Sequence, residues 1–206
     1  VLEGTGYVDP RTPNRIPEAY LRQLGVADED VSINYTPFGH SDWQTRVSEI
    51  RDFGSTGKPT AVVSTINGDA NVPFYLELAN QEVSAEDIPV IAFSVGEEEL
   101  SGLDTEPLVG HLAAWNYFQS IEGAVNNDFI ANWKERMGAD RTTNDPMEAH
   151  YIGFNLWTKA VEQAGTTDVD AVLAALPGTE TPNLTGGIAR LLPNHHITKP
   201  VFIGEV

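Results

Sequence analysis

The sequence contains no cysteine, which excludes disulfide frameworks and metal sites built from thiolates. It also lacks any apolar run that approaches the length of a membrane-spanning helix and any segment with the pattern of a signal peptide. Lysine is scarce, and the chain carries it only at Lys58, Lys134, Lys159 and Lys199. At 206 residues, the chain is long enough to bury a substantial core, as one large domain or two small ones.

The charge balance is strongly acidic, with 30 Asp and Glu against 12 Lys and Arg and a net charge of −18 at pH 7. A field of this sign repels phosphate backbones and anionic lipid surfaces, so the composition argues against nucleic acid and anionic membranes as partners. An acidic, lysine-poor surface is typical of saline habitats, and it is equally consistent with an ordinary soluble surface.

Residues 1 to 103 alternate between strand-like and helix-like segments. The runs "PTAVVSTI" and "IPVIAFS" are typical of strands buried on both faces of a sheet. Between them and before them, apolar residues recur at helical spacing, as in Trp43, Val47 and Ile50. The order βαβαβαβα predicts an α/β fold with a parallel sheet and helices on both faces.

The later part of the chain has a different pattern. Two helices, "NNDFIANWKERMG" and "DPMEAHYIGFNLWTKAVEQAG", follow each other without a clear strand between them, and the tail predicts two short strands around His195 and His196. These two helices have no sheet of their own in the sequence, so the sheet that they pack against must come from another part of the protein. Because the chain also starts at Val1 in what reads as a core strand, we expect the sequence to be a fragment whose missing part precedes residue 1.

Three loops fall at the carboxyl ends of predicted strands, where open α/β sheets bind ligands. The first, "GTGYVDP", lacks the third glycine of a dinucleotide fingerprint and is predicted to be a turn that presents Tyr7 to a cleft. The second, "NGD", precedes a helix, and two interpretations stay open. Either Asp69 or Asn71 caps that helix, or the loop contacts a ligand. The third, "SVGEEE", carries carboxylates that suit the first turn of a helix, and one of them is free to face the cleft.

The sequence does not predict a metal site or a catalytic centre. Adjacent residues of a strand face opposite ways, which makes it awkward for His195 and His196 to bind one ion, and no acidic partner has ligand spacing. There is no nucleophile elbow, P-loop, zinc-binding helix or triad spacing. We therefore expect no metal, no cofactor and no enzymatic activity.

Several separated segments resemble the substrate-binding proteins of bacterial urea and short-chain-amide ABC transporters, which are type I periplasmic binding proteins. The segments are "GTGYVDPRTPN", "STINGDANVPFY", "IPVIAFSVGEEEL", "GHLAAWNYFQSI", "NDPMEAHYIGFNLWTKAVEQAGTTDVDAV" and "NHHITKPVFIGEV". The resemblance implies two Rossmann-like lobes with the ligand between them, and the first part of the N-terminal lobe missing from this chain. Residues 1–113 would form the C-terminal lobe, 114–177 a crossover and helices of the N-terminal lobe, and 178–206 a return to the C-terminal lobe.

The resemblance also implies a ligand, partners and a set of binding residues. The ligand would be urea or a short amide, handed to ABC permease subunits, in the periplasm or outside the cell, with membrane association through the transporter or a lipid anchor. Asp9 stands where related proteins often carry an aromatic residue, which sets this pocket apart. The implied ligand-binding residues are Tyr7, Asp9, Asn67, Gly68, Asp69, Ser94, Val95 and Glu97.

Urea and short amides present N–H donors and one carbonyl, so a selective site needs acceptors such as carboxylates, and it needs no cation because the ligand is uncharged. Two alternatives stay open. One is a sensory amide- or amino-acid-binding module of the same fold. The other is an α/β enzyme that uses Asp69, Glu97 and His195.

Overall fold

A computed structural model describes residues 1–206, which divide into two compact units. Unit 1 comprises Val1–Trp115 with Ile203–Val206, and unit 2 comprises Asn116–Phe202. The chain therefore passes between the units after residue 115 and again after residue 202, whereas the sequence predicts boundaries after 113 and 177. That the units belong to two lobes of a larger fold stays a prediction.

The strands and helices alternate through unit 1, which confirms the predicted α/β class. The strands are β1 Leu2–Thr5, β2 Ile33–Thr36, β3 Val62–Thr65, β4 Val90–Ala92, β5 Leu112–Trp115, β6 Glu180–Pro182, β7 Ile188–Arg190 and β8 Phe202–Glu205. The helices are α1 Val8–Gln23, α2 Gln44–Gly54, α3 Asn71–Asn80, α4 Glu97–Leu100, α5 Ala124–Met137, α6 Asp145–Ala164 and α7 Val169–Ala175.

Unit 1 is built on a sheet with the strand order β2-β1-β3-β4-β5-β8. The pairs from β2 to β5 are parallel, as the βα alternation requires. The core packs α2 and α3 against this sheet, with Trp43 and Phe74 in edge contact at 4.9 Å between ring centroids. Val47 and Ile50 are buried beside them, so the helical spacing predicted from the sequence is confirmed.

The first helix begins earlier than the sequence indicates. The segment "TPNRIPEAYLRQLG" has apolar residues at helical spacing and predicts a helix from Thr12, but α1 starts at Val8, directly after the "GTGY" turn. Pro10 falls in the first turn, where no backbone donor is needed, while Pro13 and Pro17 lie inside the helix and each omits one backbone hydrogen bond. The helix tolerates these missing bonds because its buried residues Pro10 and Asn14 pack against β1.

Unit 2 centres on the long helix α6, which starts at an Asn144 side-chain cap and ends at Gly165 in the left-handed conformation. Its buried residues Ile152 and Leu156 pack with Ala189 and Leu191 of the β6–β7 hairpin region. The tail after β7 turns back through a single bridge between Leu191 and Ile197 before it reaches β8. No helix in either unit combines the length and the apolar character needed to span a bilayer.

Candidate functional site

The site begins where β1 and β3 end side by side. These strands pair in parallel with Gly4 opposite Thr65, so the loops that follow them leave the sheet at the same edge. The hydroxyl of Thr5 accepts a hydrogen bond from the backbone N–H of Asn67 at 2.9 Å, which fixes the second loop against the first. Residues about sixty positions apart in the sequence are thereby brought into contact.

Three side chains on these loops form one hydrogen-bonded cluster, which we call the rim cluster: Tyr7, Asp9 and Asn67. The Asn67 amide Nδ2 donates to the Tyr7 hydroxyl at 2.7 Å and to the Asp9 carboxylate at 3.3 Å. The Tyr7 hydroxyl donates to Asp9 at 3.3 Å. Partial burial raises the pKa of Tyr7, and the negative charge of Asp9 raises it further. The phenol therefore stays protonated and can act as a donor.

An aromatic residue that the sequence reasoning missed lies against this cluster. The ring of Phe38 packs on Tyr7 with 4.6 Å between centroids and 41° between planes, and Phe38 is 63% exposed. Phe38 follows β2, which pairs with β1. Its position just after a strand would have identified it, because open α/β sheets bind ligands at the carboxyl ends of their strands.

The "NGD" loop is shaped by backbone and side chain together. Gly68 has φ of +70°, a conformation that favours glycine, and opens a short 3-10 turn that leads into α3. Neither Asp69 nor Asn71 caps a helix through its side chain, so the capping interpretation is wrong for both. Asp69 is exposed at this edge, and its contact with a ligand stays a prediction.

Asn71 serves instead as a buried link between two loops. It is fully buried, and its Nδ2 donates to the carbonyl oxygens of Ile66 at 2.9 Å and of Gly68 and Ser94 at 3.3 Å each. The "NGD" loop is therefore held to the loop that follows β4, although the sequence reasoning considered Asn71 only as a cap.

The loop after β4 contributes less side-chain surface than the sequence indicates. Val95 is 2% exposed and belongs to the hydrophobic core, so its side chain faces away from the edge. Ser94 and Glu97 are partly exposed. Glu99 accepts a hydrogen bond from the backbone N–H of Gly96 at 2.8 Å and so stabilises the start of α4 rather than facing a ligand.

The rim is rich in acceptors and poor in cations. No Lys or Arg lies within ion-pair distance of Asp9 or Asp69. The nearest arginine in the sequence, Arg11, places its guanidinium 4.1 Å from the centre of the Tyr35 ring. Such an edge suits a neutral ligand that carries N–H donors.

The histidine pair lies in a turn and not in a strand, which corrects the geometric reasoning about it. His195 has φ of +62°, both histidines are exposed, and no group of three His, Cys, Asp or Glu residues has the geometry to hold a metal ion. His195 belongs to unit 2, whereas Asp69 and Glu97 belong to unit 1. The three residues of the enzyme alternative are thus not gathered within either unit.

Solved structures with the same fold are solute-binding proteins of ABC transporters. One from Rhodopseudomonas palustris BisB5, in complex with 3,4-dihydroxy benzoic acid, matches with a TM-score of 0.83 and 18% identity over 99% of this chain and 55% of that chain. One from Rhodopseudomonas palustris HaA2, in complex with p-hydroxybenzoic acid, matches with a TM-score of 0.83 and 19% identity over 100% of this chain and 55% of that chain. A leucine binding protein from Thermotoga maritima MSB8 matches with a TM-score of 0.67 and 20% identity, over 100% and 56%. This chain spans about half the length of these relatives.

Two further proteins or families are similar to this chain in sequence. A limonene hydroxylase from Geobacillus stearothermophilus is 30% identical over 96 residues, which is 47% of this chain and 18% of that protein. A family model described as a periplasmic binding protein domain matches residues 1–206.

Proposed function

The chain belongs to the periplasmic binding protein domain family and has the type I fold, and on this premise we propose that it captures urea or a short-chain amide. It would do so as part of an extracytoplasmic solute-binding protein that delivers its ligand to an ABC permease. Proteins of this kind bind and release a solute without changing it, so no catalytic role is assigned to any residue.

The observation that carries the ligand proposal is the chemistry of the rim cluster. Tyr7, Asp9 and Asn67 already exchange hydrogen bonds with one another, and Asp69 is exposed on the neighbouring loop. A ligand with several N–H donors gains charge-assisted partners at Asp9 and Asp69, and Phe38 offers a flat wall beside Tyr7. An N–H buried without a partner costs about 1–3 kcal/mol, so a site with several acceptors selects a ligand with several donors.

The same chemistry disfavours an anionic ligand. The Rhodopseudomonas palustris relatives were solved with aromatic acids, and a carboxylate needs a cation or several N–H donors to replace its hydration. The rim of this chain instead presents Asp9 and Asp69 with no ion-paired cation. A neutral amide meets no such repulsion, and therefore urea or a short amide is the better match.

The two-lobe arrangement is part of the same proposal. Residues 1–113 would belong to one lobe and the helices within 114–177 to the other, with the tail returning toward the first. The aromatic face of α6 supports this, because Phe154 is 62% exposed and stacks on the exposed Trp157 at 5.8 Å between centroids. Apolar surface of this kind in a soluble protein indicates a face that another part of the protein covers.

The proposal is tested by calorimetric titration of the full-length protein with urea, acetamide and benzoate. We expect binding of urea or acetamide and none of benzoate, and we expect Asp69→Ala to weaken the affinity about a hundredfold, since it removes a charge-assisted partner worth roughly 2–3 kcal/mol. Asp52→Ala, an exposed aspartate of α2, is the matched control and should bind like the unchanged protein. Tight benzoate binding, or full affinity in Asp69→Ala, would refute the ligand assignment.

Delivery to a permease is separable from sensing by a second measurement. Cells that lack the protein should lose uptake of labelled urea or acetamide at low external concentration, and a plasmid copy should restore it. Unchanged uptake together with a lost transcriptional response to the ligand would instead identify the protein as a sensory module.

A further inference from the structure

The chain crosses between unit 1 and unit 2 twice, and the two crossings are tied together inside unit 2. The first crossing follows Trp115 and the second follows Phe202. The side chain of Asn116, the first residue of unit 2, donates from Nδ2 to the carbonyl oxygen of Pro200 at 2.7 Å. The entering and leaving segments are therefore bonded to each other within a few residues of where each one crosses.

Both segments are also bound to the beginning of α6. The Asp145 carboxylate accepts a hydrogen bond from the backbone N–H of Asn116 at 2.9 Å and another from the backbone N–H of Tyr117. In the same first turn of the helix, Glu148 forms an ion pair with Lys199 from the leaving segment. One carboxylate thus holds the entering segment, and the next holds the leaving segment.

This cluster is buried to a degree that is unusual for charged residues. Glu148 is fully buried, Asp145 is nearly so, and the Lys199 side chain is 7% exposed. One oxygen of Glu148, Oε1, has no hydrogen-bond partner. Charges that leave water lose hydration which their mutual attraction repays only in part, so a buried ion pair is weak support for overall stability. Such pairs are better explained by what they hold in place.

Two features of the surroundings offset part of the cost of burying these carboxylates. Asp145 and Glu148 lie in the first turn of a long helix, where backbone N–H groups and the helix dipole stabilise negative charge. Burial raises the pKa of both carboxyls, while the positive charge of Lys199 acts in the opposite direction on each. The lysine is therefore the one cation that both carboxylates share.

We propose that Asp145, Glu148 and Lys199 are positioning residues that fasten both interunit connections to the N-terminus of α6. We call these three residues the anchor cluster. Through it, residues 116–117 and 199–200 are held within unit 2 at one place, the first turn of α6. The role is local: it concerns where the connecting segments are held, and not whether unit 2 folds.

The test is hydrogen exchange followed by mass spectrometry on the whole chain without ligand, so its outcome is independent of the proposed function. Lys199→Met should speed exchange of the peptides that contain residues 116–118 and 198–202 about tenfold or more, as expected for local opening, while the centre of α6 exchanges as before. Lys199→Arg keeps the charge and should restore most of the protection. Lys58→Met makes the same change at an exposed lysine and breaks the Lys58–Asp30 pair of unit 1, so it serves as the matched control, with no effect on these peptides.

A second variant keeps the proposal testable if Lys199→Met fails to fold because Glu148 is left unpaired. Glu148→Gln combined with Lys199→Met removes both charges of the pair and should fold, yet it should still release the leaving segment. Exchange that rises evenly through unit 2, or exchange that stays unchanged in residues 198–202, would overturn the anchoring role. Failure of Lys199→Arg to restore protection would do the same.

Discussion

The side chain of Asn71 links the "NGD" loop to the loop after β4, and replacing it with alanine tests how the binding edge is held. Asn71 is fully buried at the start of α3. Its single amide nitrogen serves three backbone carbonyls, those of Ile66 at 2.9 Å and of Gly68 and Ser94 at 3.3 Å. Alanine removes this nitrogen and leaves those carbonyls without their side-chain donor.

The size of the effect follows from what each group loses. An amide nitrogen has only two hydrogens, so the three contacts amount to about two full hydrogen bonds. Each such bond contributes about 0.5–1.5 kcal/mol, and a buried acceptor left unpaired costs about 1–3 kcal/mol. The Oδ1 atom of Asn71 has no partner in the folded protein, and alanine removes that unfavourable contribution. We therefore expect Asn71→Ala to lower the free energy of unfolding by about 2–3 kcal/mol.

The measurement is equilibrium unfolding in guanidinium chloride followed by circular dichroism, because urea as denaturant would also be the proposed ligand. Asn80→Ala, at the exposed end of the same helix, removes only a weak contact of 3.4 Å with Glu77 and should change the stability by less than about 0.5 kcal/mol. If Asn71→Ala is as stable as Asn80→Ala, the side chain does not hold the two loops together and the reasoning fails.

Three further predictions concern stability and association. Burial lowers the pKa of His111, whose Nδ1 accepts a hydrogen bond from the N–H of Val90, so the unfolded chain binds a proton first as pH falls below about 6.5. The free energy of unfolding therefore falls there by up to about 1.4 kcal/mol per pH unit. His111→Gln should lose less stability between pH 7 and 5 in guanidinium titrations, and equal slopes for the two proteins would contradict this. Gly4→Ala places a Cβ 2.5 Å from the Thr65 hydroxyl and should cost about 1–3 kcal/mol in the same assay, whereas a neutral result would show that Thr65 moves aside freely. Residues 1–206 alone should self-associate in sedimentation through the exposed Phe154 and Trp157, and serine at both positions should prevent it; an unchanged profile would argue against the docking role of this face.

The fold class was predictable because it depends on patterns that are local in the sequence. Buried parallel strands show as β-branched runs, and the helices between them show as apolar residues at a spacing of three and four. The start of α1 at Val8 was not predictable in this way, because residues 8–11 lack this apolar spacing and include Pro10. In the folded chain, Pro10 and Asn14 are the buried residues of α1, and both lie close to Gly4 of β1.

The sequence predicts which loops meet at the candidate site, but not how their side chains are arranged. Strand ends identify the loops, and loops at the carboxyl edge of a parallel sheet face the ligand. The direction of each side chain depends on neighbours that are distant in sequence, which is why Val95 proved to be a core residue and Phe38 was overlooked. Asn71 shows the same limit, since an asparagine before a helix resembles a cap until its partners are known.

The rim cluster depends on two buried threonines as much as on its own members. Thr5 accepts from the Asn67 backbone, and the Thr65 hydroxyl shares its single hydrogen between the Asn14 Oδ1 atom at 3.2 Å and the carbonyl oxygen of Glu3 at 3.3 Å. These bonds join the ends of β1 and β3, which are neighbours in the sheet although β2 separates them in the sequence. The positions of Tyr7 and Asn67 are thus set by the buried ends of these two strands. If the rim cluster binds the ligand as proposed, changes at these threonines should alter the affinity through the position of the cluster alone.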